Sequence, residues 1–235
     1  MSAGTDTVAA RLAEIRMRME RAASRAGRRP EEITLVGISK TFSAESIGEA
    51  FAAGVRHFGE SRVQEWELKA PRVADLTATW HLVGHLQRNK AARATLLFHR
   101  VDSLDSLPLG EKLDRAAAGR SQPLSVLLEV QLDPAITKSG CDPEELGRLA
   151  EGVLLMPNLD LQGLMTVPPA AQDPEQARPA FRRLRELRDE LSARIGRPLM
   201  ELSMGMSDDF EVAIEEGATQ IRLGRALFGE RPKIR

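Results

Sequence analysis

The stretch that decides the fold is residues 33–41, Ile-Thr-Leu-Val-Gly-Ile-Ser-Lys-Thr. Its apolar part, residues 33–38, is too continuous for a strand with one face in water, and it predicts a strand covered on both faces. Apolar residues at helical spacing predict a helix over residues 6–26, before this strand. We therefore expect a parallel sheet with helices on its faces, and Lys40 follows the first strand directly.

The same alternation of strand and helix recurs along the chain. Further short apolar strands are predicted at residues 56–58, 80–83, 98–101, 125–130, 161–166, 199–203 and 220–223. Helical patterns lie between them at residues 43–54, 62–73, 87–96, 105–118, 142–156, 174–195 and 207–216. Eight such units in 235 residues predict the α/β class, as a single (β/α)8 TIM-type barrel with an extra N-terminal helix. We expect residues 1–235 to form one domain.

An open, doubly wound sheet is the alternative arrangement of such units. That fold carries a glycine-rich phosphate turn, GxGxxG, after its first strand, whereas residues 39–41 here are Ser-Lys-Thr. The barrel is therefore favoured. Functional groups in barrels gather at the C-terminal ends of the strands, so the polar residues at those ends are the candidates for a site.

Composition excludes several classes of function. The 33 basic and 34 acidic residues leave a formal net charge of −1, so we expect neither nucleic acid nor a membrane as partner. The single cysteine, Cys141, excludes an internal disulfide and fits a reducing compartment. No apolar run approaches about 18 residues and no signal-peptide pattern is present, so a soluble cytoplasmic protein is expected. Potential metal ligands are scarce, and no metal site is predicted.

Lys40 has two possible roles at the end of the first strand. A lysine there can be a solvated charge, or it can form a Schiff base with an aldehyde. The amine must be neutral to attack an aldehyde, and its unperturbed pKa is about 10.4. Partial burial at a barrel mouth would lower that pKa and make the amine reactive.

Ser203 and Gly224 end the seventh and eighth predicted strands and bracket a candidate phosphate site. Gly224 stands where a strand passes into a helix, and unpaired N–H groups at a helix start bind anions. Barrels often hold phosphate after strands seven and eight, although Gly224 could equally serve only a tight turn. Arg222 precedes Gly224 by two residues, so it enters the barrel mouth if that strand face points inward.

Two histidines, His81 and His85, lie near the end of the predicted third strand, and we place both at the rim of the expected barrel. A lone histidine in a strand is more typical of a core residue than of a catalyst, and the sequence offers neither histidine a partner to orient it. Residues 137–140 are interpreted as a loop. Cys141 is interpreted as structural.

Several segments taken together resemble one family. They are residues 36–41 (VGISKT), 57–65 (HFGESRVQE), 80–84 (WHLVG), 86–90 (LQRNK), 138–140 (KSG), 163–165 (GLM), 202–207 (LSMGMS) with Asp209, and 222–224 (RLG) with Phe228 and Gly229. In this order they resemble the pyridoxal phosphate homeostasis proteins, a family similar in fold to the N-terminal barrel of alanine racemase. The similarity runs over residues 5–231.

This resemblance implies a site for pyridoxal 5′-phosphate (PLP). Lys40 would form the covalent Schiff base, and Ser203 and the backbone around Gly224 would hold the phosphate. Arg222 would face the pyridine nitrogen and keep it unprotonated, which makes the ring a weaker electron sink. The other cofactor contacts that the resemblance implies are Ser61, His81, Met165 and Arg225.

The chain departs from the family's pattern at four places. Ser61 replaces a usual asparagine, and His85 replaces a usual proline. Arg225 stands where a small residue is usual, so it either adds charge near the phosphate or points to solvent. Residues 132–136 replace a glycine-bearing stretch before Lys138.

The function that the resemblance implies is intracellular PLP homeostasis. Members of the family are described as carrying and buffering PLP and influencing amino-acid and keto-acid balance, without strong catalytic turnover. The chain contains no tyrosine and ends at Arg235, so the tyrosine base and second domain of alanine racemase are not expected and no residue is predicted to be catalytic. A PLP enzyme with weak activity on amino acids and a regulatory barrel with incidental PLP remain alternatives. We expect a monomer, with apo PLP-dependent enzymes as candidate partners.

Overall fold

The computed structural model describes residues 7–133, 139–169 and 173–230. Eight strands form a closed barrel in chain order, with every neighbouring pair parallel and β8 pairing with β1. The strands are β1 Thr34–Ile38, β2 His57–Glu60, β3 Thr79–Leu82, β4 Arg100–Leu104, β5 Leu124–Glu129, β6 Leu159–Met165, β7 Glu201–Ser203 and β8 Gln220–Leu223. The predicted (β/α)8 barrel is confirmed, and each strand overlaps its predicted range.

Helices surround the barrel and connect its strands. They are α1 Val8–Arg25, α2 Ala44–Ala52, α3 Val63–Lys69, α4 Ala91–Leu97, α5 Leu107–Ala117, α6 Leu146–Leu154, α7 Arg178–Ile195, α8 Phe210–Glu215 and α9 Arg225–Phe228. Short 3₁₀ turns lie at Pro30–Glu32, Ala70–Val73, Arg88–Lys90 and Pro174–Ala177. In the described residues, no helix combines the length and the apolar character needed to cross a bilayer.

The extra N-terminal helix, α1, packs against the last two helices of the chain, α8 and α9. The Thr7 hydroxyl caps its start by accepting a hydrogen bond from the Ala10 N–H at 3.1 Å. Its apolar stripe is buried, and each large side chain on it contributes about 1.5–3 kcal/mol through removal from water. From its polar side, Arg11 donates to the Leu227 carbonyl at 2.9 Å and Arg18 pairs with Glu211 at 2.5 Å. This helix therefore ties the chain's first described segment to α8 and α9.

Alternate strand residues point into the barrel and outward under the helices, as the pleat of a strand requires. Outward residues form the apolar layer, in which the rings of Phe58 and Trp80 stack 5.2 Å apart and Trp66 lies 4.1 Å from Trp80. On the inner face of β2, a Cβ at Gly59 would collide with Ile38, so glycine gives the barrel interior its space there. The inner face of the strands, unlike the outer, carries many polar side chains.

Some element ends differ from the sequence prediction. The helix predicted at residues 207–216 begins only at Phe210, because Asp209 is its N-cap and the preceding residues turn back toward β8. The helix start predicted at Gly224 is the short helix α9, whose four residues are too few for a periodic pattern of their own. The predicted loop at residues 137–140 lies partly outside the described residues.

Candidate functional site at the barrel mouth

Lys40 is placed by a tight turn that follows β1. The Phe42 N–H donates to the Ser39 carbonyl at 3.1 Å, which closes a four-residue turn around Lys40 and Thr41. Thr41 has a φ of 68°, the positive value that type II turns require at their third position. The Lys40 side chain is half-buried and lines the cavity at the C-terminal ends of the strands.

This mouth cavity has a volume of about 440 Å³, which suits a small-molecule ligand. It is lined by Lys40, Ser61, Val83, Gly84, His85, Glu129, Val130, Gln131, Leu132, Asp133, Ser139, Val167, Pro168, Pro169 and Met206. Two predicted site residues, Lys40 and Ser61, therefore share one cavity. Lys138, which the resemblance included, lies outside the described residues.

Close packing shapes the side of the cavity near Ser61. A Cβ at Gly84 would overlap the Ser61 backbone, so only glycine allows these two loops to approach each other. The Ser103 hydroxyl donates to the Gly84 carbonyl at 2.7 Å and fixes the loop that follows β3. His85 is exposed at the rim, and its Nδ1 lies 3.1 Å from a carboxylate oxygen of Asp105. His85 thus has the partner that the sequence alone did not reveal.

Glu129 is a site residue that the sequence analysis missed. It ends β5, lines the mouth cavity and is 5% exposed. The Ser139 hydroxyl donates to its Oε1 at 2.7 Å, while its Oε2 has no hydrogen-bond partner in the described part of the chain. Burial raises the pKa of Glu129 above its usual value. The available signal was a charged residue at the end of an otherwise apolar buried strand.

Arg222 joins the ends of three strands, although neither it nor Ser203, Met165 or Gly224 is among the residues that line the mouth cavity. Its Nη1 donates to Ser203 Oγ at 2.8 Å, and its Nη2 donates to the Thr166 carbonyl at 2.7 Å. Ser203 and Arg222 are buried, as is Met165, which pairs with Ser203 in the sheet. These contacts turn the Arg222 side chain to the inner face of β8, an orientation that the sequence analysis left open. Burial lowers the pKa of Arg222, and the nearby carboxylate of Asp102 opposes that shift.

Gly224 lies between β8 and α9. A Cβ built on Gly224 would come no closer than 3.5 Å to the Ile38 carbonyl oxygen, so the protein itself leaves room at this position. The Ser207 hydroxyl accepts a hydrogen bond from the Ala226 N–H at 3.2 Å and holds the loop after β7 against the start of α9. Arg225 is exposed and pairs with Asp208 at 2.6 Å. Its side chain thus has a carboxylate partner at the surface.

A second polar cluster, which we call the floor network, lies deeper in the barrel. Its members are His57, His81, Arg100, Asp102, Glu201 and Gln220, four of which are the first residues of their strands. His81 Nδ1 lies 2.7 Å from Asp102 Oδ2, and its Nε2 lies 3.0 Å from His57 Nδ1. Sequence analysis placed His81 at the rim without a partner. Both points are wrong: its alternation on β3 turns it into the interior, where it is fully buried between two partners.

Arg100 connects the two sides of the floor network. Its guanidinium binds both carboxylate oxygens of Glu201 across the barrel, with 2.9 Å between Nη1 and Oε1. Its Nε lies 3.5 Å from Asp102 Oδ1. Burial, with the charge of His81 adding to it, lowers the pKa of His57 to about 4, so His57 is neutral near pH 7. In the described residues, no group of three or more potential ligands is arranged to hold a metal ion.

Comparison with known proteins identifies the family. Residues 11–232 match the model of the alanine racemase N-terminal domain. The pyridoxal phosphate homeostasis protein of Aquifex aeolicus is 44% identical over 221 residues, covering 94% of this chain and 97% of the relative. The protein of the same name from Pseudomonas aeruginosa is 44% identical over 225 residues and 96% of each chain is covered.

Solved structures agree with this assignment. PipY of Synechococcus elongatus, determined with PLP bound, has a TM-score of 0.80 and 39% identity, covering 90% of this chain and all of PipY (100%). Alanine racemase of Clostridium difficile has a TM-score of 0.75 at 15% identity and shares the fold, with 97% of this chain and 58% of the racemase covered. The extent of these matches and the barrel itself lead to one conclusion: the chain belongs to the pyridoxal phosphate homeostasis protein family.

Proposed function

We propose that this chain binds PLP covalently through Lys40 and serves as a carrier and buffer of PLP in the cell, affecting amino-acid and keto-acid balance without strong catalytic turnover. The observation that carries the proposal is the position of Lys40, which lines a cavity of about 440 Å³ at the C-terminal ends of the strands. The presence of PLP in PipY, which is 39% identical to this chain, supports the same ligand here.

Residues at the C-terminal ends of the strands fit the three chemical features of PLP, and of those used here only Lys40 lines the cavity itself. Lys40 supplies an amine for the aldehyde. Its neutral Nζ adds to the aldehyde carbon, a carbon–nitrogen double bond forms, and the carbonyl oxygen leaves as water. Ser203 supplies a hydroxyl for the phosphate, and Gly224 leaves space at the turn into α9. Arg222 keeps three further N–H groups beyond the two that bind Ser203 and Thr166, and we assign it to the pyridine nitrogen.

The other predicted site residues, except His81, are assigned to parts of the same ligand, PLP. Ser61 lines the cavity and is proposed to contact the ring, together with Met165 at the end of β6. His81 is not assigned a cofactor contact, because both of its ring nitrogens face partners in the floor network. Arg225 is proposed to add positive charge near the phosphate, in competition with its pairing to Asp208.

A second candidate function is a PLP-dependent enzyme with weak activity on amino acids. Glu129 favours it, because a buried carboxylate with a raised pKa in the cavity that Lys40 also lines is a candidate proton donor or acceptor. The absence of tyrosine from the sequence argues against the two-base chemistry of alanine racemase. PLP itself would supply the electron sink for such chemistry, and Arg222 beside the pyridine nitrogen would weaken it.

Carrier function also requires partners and a compartment. We propose apo forms of PLP-dependent enzymes as acceptors, a monomer as the working state, and the cytoplasm as the location.

The only cysteine, Cys141, is buried, and burial raises its pKa to about 12, so it is an unreactive thiol at neutral pH.

The experiment that tests the carrier proposal is transfer of PLP to an apo-enzyme. Purified protein is loaded with PLP, freed of excess ligand and mixed with an apo-enzyme whose activity reports the PLP that it receives. The loaded protein should be yellow and should restore activity, whereas Lys40→Ala should carry over far less. No transfer above that of a mock-loaded sample would contradict the carrier function.

A further inference from the structure

The turn that holds Lys40 is strained at its third position. Thr41 adopts a φ of 68°, which type II turns normally give to glycine because a side chain crowds the backbone there. For a β-branched residue this conformation is especially unfavourable, and it persists only where surrounding contacts enforce it. The contacts that enforce it should therefore be visible around the turn.

Lys69, the last residue of α3, supplies those contacts from outside the barrel wall. Its Nζ lies 2.9 Å from the Ser39 carbonyl oxygen and 3.4 Å from the Phe42 carbonyl oxygen, the first and last residues of the turn. The same ammonium lies 2.5 Å from Glu60 Oε1. An ammonium has three N–H donors, and here they face three acceptors, two of which bracket Lys40.

Glu60 completes the arrangement by holding both the ammonium and the turn. It is the last residue of β2, and its side chain is fully buried. Its Oε1 also accepts a hydrogen bond from the Ser39 hydroxyl at 2.8 Å. Ser39 is thus fixed through its carbonyl oxygen by Lys69 and through its hydroxyl by Glu60.

We propose that Lys69, supported by Glu60, is the positioning residue for Lys40: it clamps the strained turn so that the Lys40 amine faces the mouth cavity. The proposal rests on the covalent role of Lys40 argued above. In the described part of the chain, the residues that line the cavity include neither Lys69 nor Glu60. Loss of the clamp should therefore disturb the reaction of Lys40 and spare the contacts of the ring and phosphate.

The test compares two ligands that differ in one chemical group. PLP has an aldehyde, whereas pyridoxine 5′-phosphate has an alcohol in its place and cannot link to a lysine. Lys69→Met should bind pyridoxine 5′-phosphate with the affinity of the wild type. It should form the covalent link with PLP between about tenfold and a hundredfold more slowly, the scale on which small misplacements of reacting groups act. Lys112→Met, at an exposed lysine on α5, is the matched control.

Two further variants separate positioning from general damage. Thr41→Gly in the Lys69→Met background should restore most of the rate of link formation, because glycine adopts the positive φ without strain. Lys69→Arg keeps the charge but not the compact set of three donors, so it should slow the reaction less than methionine does. It also serves as the test variant if Lys69→Met does not fold.

Each outcome decides between the two proposals. An unchanged rate in Lys69→Met, with the wild type linking at Lys40, would overturn the positioning role and leave the PLP site intact. Equal losses for PLP and pyridoxine 5′-phosphate, without rescue by Thr41→Gly, would make Lys69 a merely structural residue and also overturn the inference. Failure of the wild type itself to link PLP at Lys40 would instead overturn the proposed function.

Discussion

The floor network and the mouth of the barrel are both polar and both lie inside one closed sheet, but their side chains are arranged differently. In the floor network polar side chains face each other, as Arg100 does Glu201 and Asp102 does His81. Buried polar atoms without a hydrogen-bond partner occur in both regions of the described chain: Arg100 Nε, Asp102 Oδ1 and Gln220 Oε1 in the floor network, and Glu129 Oε2 at the mouth. Only the mouth places such a group in the cavity, because Glu129 and Lys40 line it and no member of the floor network does. The floor is a set of mutual contacts between strands, whereas the mouth presents groups toward a ligand.

This difference assigns separate tasks to the two regions. In TIM barrels the N-terminal end of the strands generally serves stability and the C-terminal end serves function. Substitutions in the floor network should therefore change the free energy of unfolding of the PLP-free protein. Substitutions of residues that line the mouth cavity should change PLP binding and leave unfolding of the PLP-free protein nearly unaltered.

The largest expected effect is on stability, from Asp102→Ala in the floor network. This change leaves His81 and Arg100 buried without their shared carboxylate, and loss of one partner of a buried ion pair costs about 3–5 kcal/mol. Urea unfolding of the PLP-free protein measures it. Asp75→Ala, at an exposed position, is the control and should stay within about 0.5 kcal/mol of the wild type. A loss at Asp102 no larger than at Asp75 would show that the floor does not carry stability.

The next effect is on PLP affinity, from Gly224→Val and Ser203→Ala at the mouth. Valine at 224 fits the protein but occupies the approach of the phosphate, so PLP retention should fall by a large factor. Ser203→Ala removes one hydrogen bond to a charged group, about 1.5–3 kcal/mol of binding free energy. Fluorescence titration with PLP measures both, with Gly119→Val as the control. Wild-type affinity in both variants would place the phosphate elsewhere.

A smaller effect is expected in the pH dependence of stability. The pKa of His57 is about 4 in the folded protein against 6.5 for an ordinary histidine. Between those values the unfolded chain binds a proton that the folded chain does not, so the free energy of unfolding falls as pH falls through this window. His57→Gln should flatten the decline between about pH 6.5 and 4. Identical slopes for the two proteins, measured by urea unfolding, would mean that His57 titrates normally.

The smallest expected effect is in catalysis. Racemisation needs a proton removed from one face of the substrate and returned on the other, and the chain has no tyrosine for the second face. We expect alanine racemisation by the PLP-loaded protein to match that of free PLP. Chiral chromatography after incubation with L-alanine measures it. Rapid formation of D-alanine that disappears in Lys40→Ala and in Glu129→Gln would make this chain an enzyme and Glu129 part of its machinery.

The fold could be predicted from the sequence more completely than the contacts of the floor network. Apolar runs alternating with helical patterns predict the barrel, because the burial of each strand is visible in the apolar residues of that strand alone. The positions of Lys40, Ser203 and Arg222 at strand ends make them predictable candidates in a barrel, and their roles toward PLP stay predictions. The floor network is not found, because Arg100 and Glu201 lie 101 residues apart in sequence and meet only through the inward face and register of their strands. The Lys69 clamp is missed for the same reason, since Lys69 and Ser39 lie 30 residues apart in sequence. Glu129 was missed although its charge at the end of an apolar strand was visible in the sequence.

The most direct test of the account is the site of the covalent link. The protein is loaded with PLP, reduced with borohydride, digested and examined by peptide mass spectrometry. The account predicts the phosphopyridoxyl group on Lys40, and no comparable labelling in Lys40→Ala. A reduced adduct found mainly on another lysine, or no adduct at all in a protein that retains PLP, would contradict the assignment of Lys40 as the linking residue.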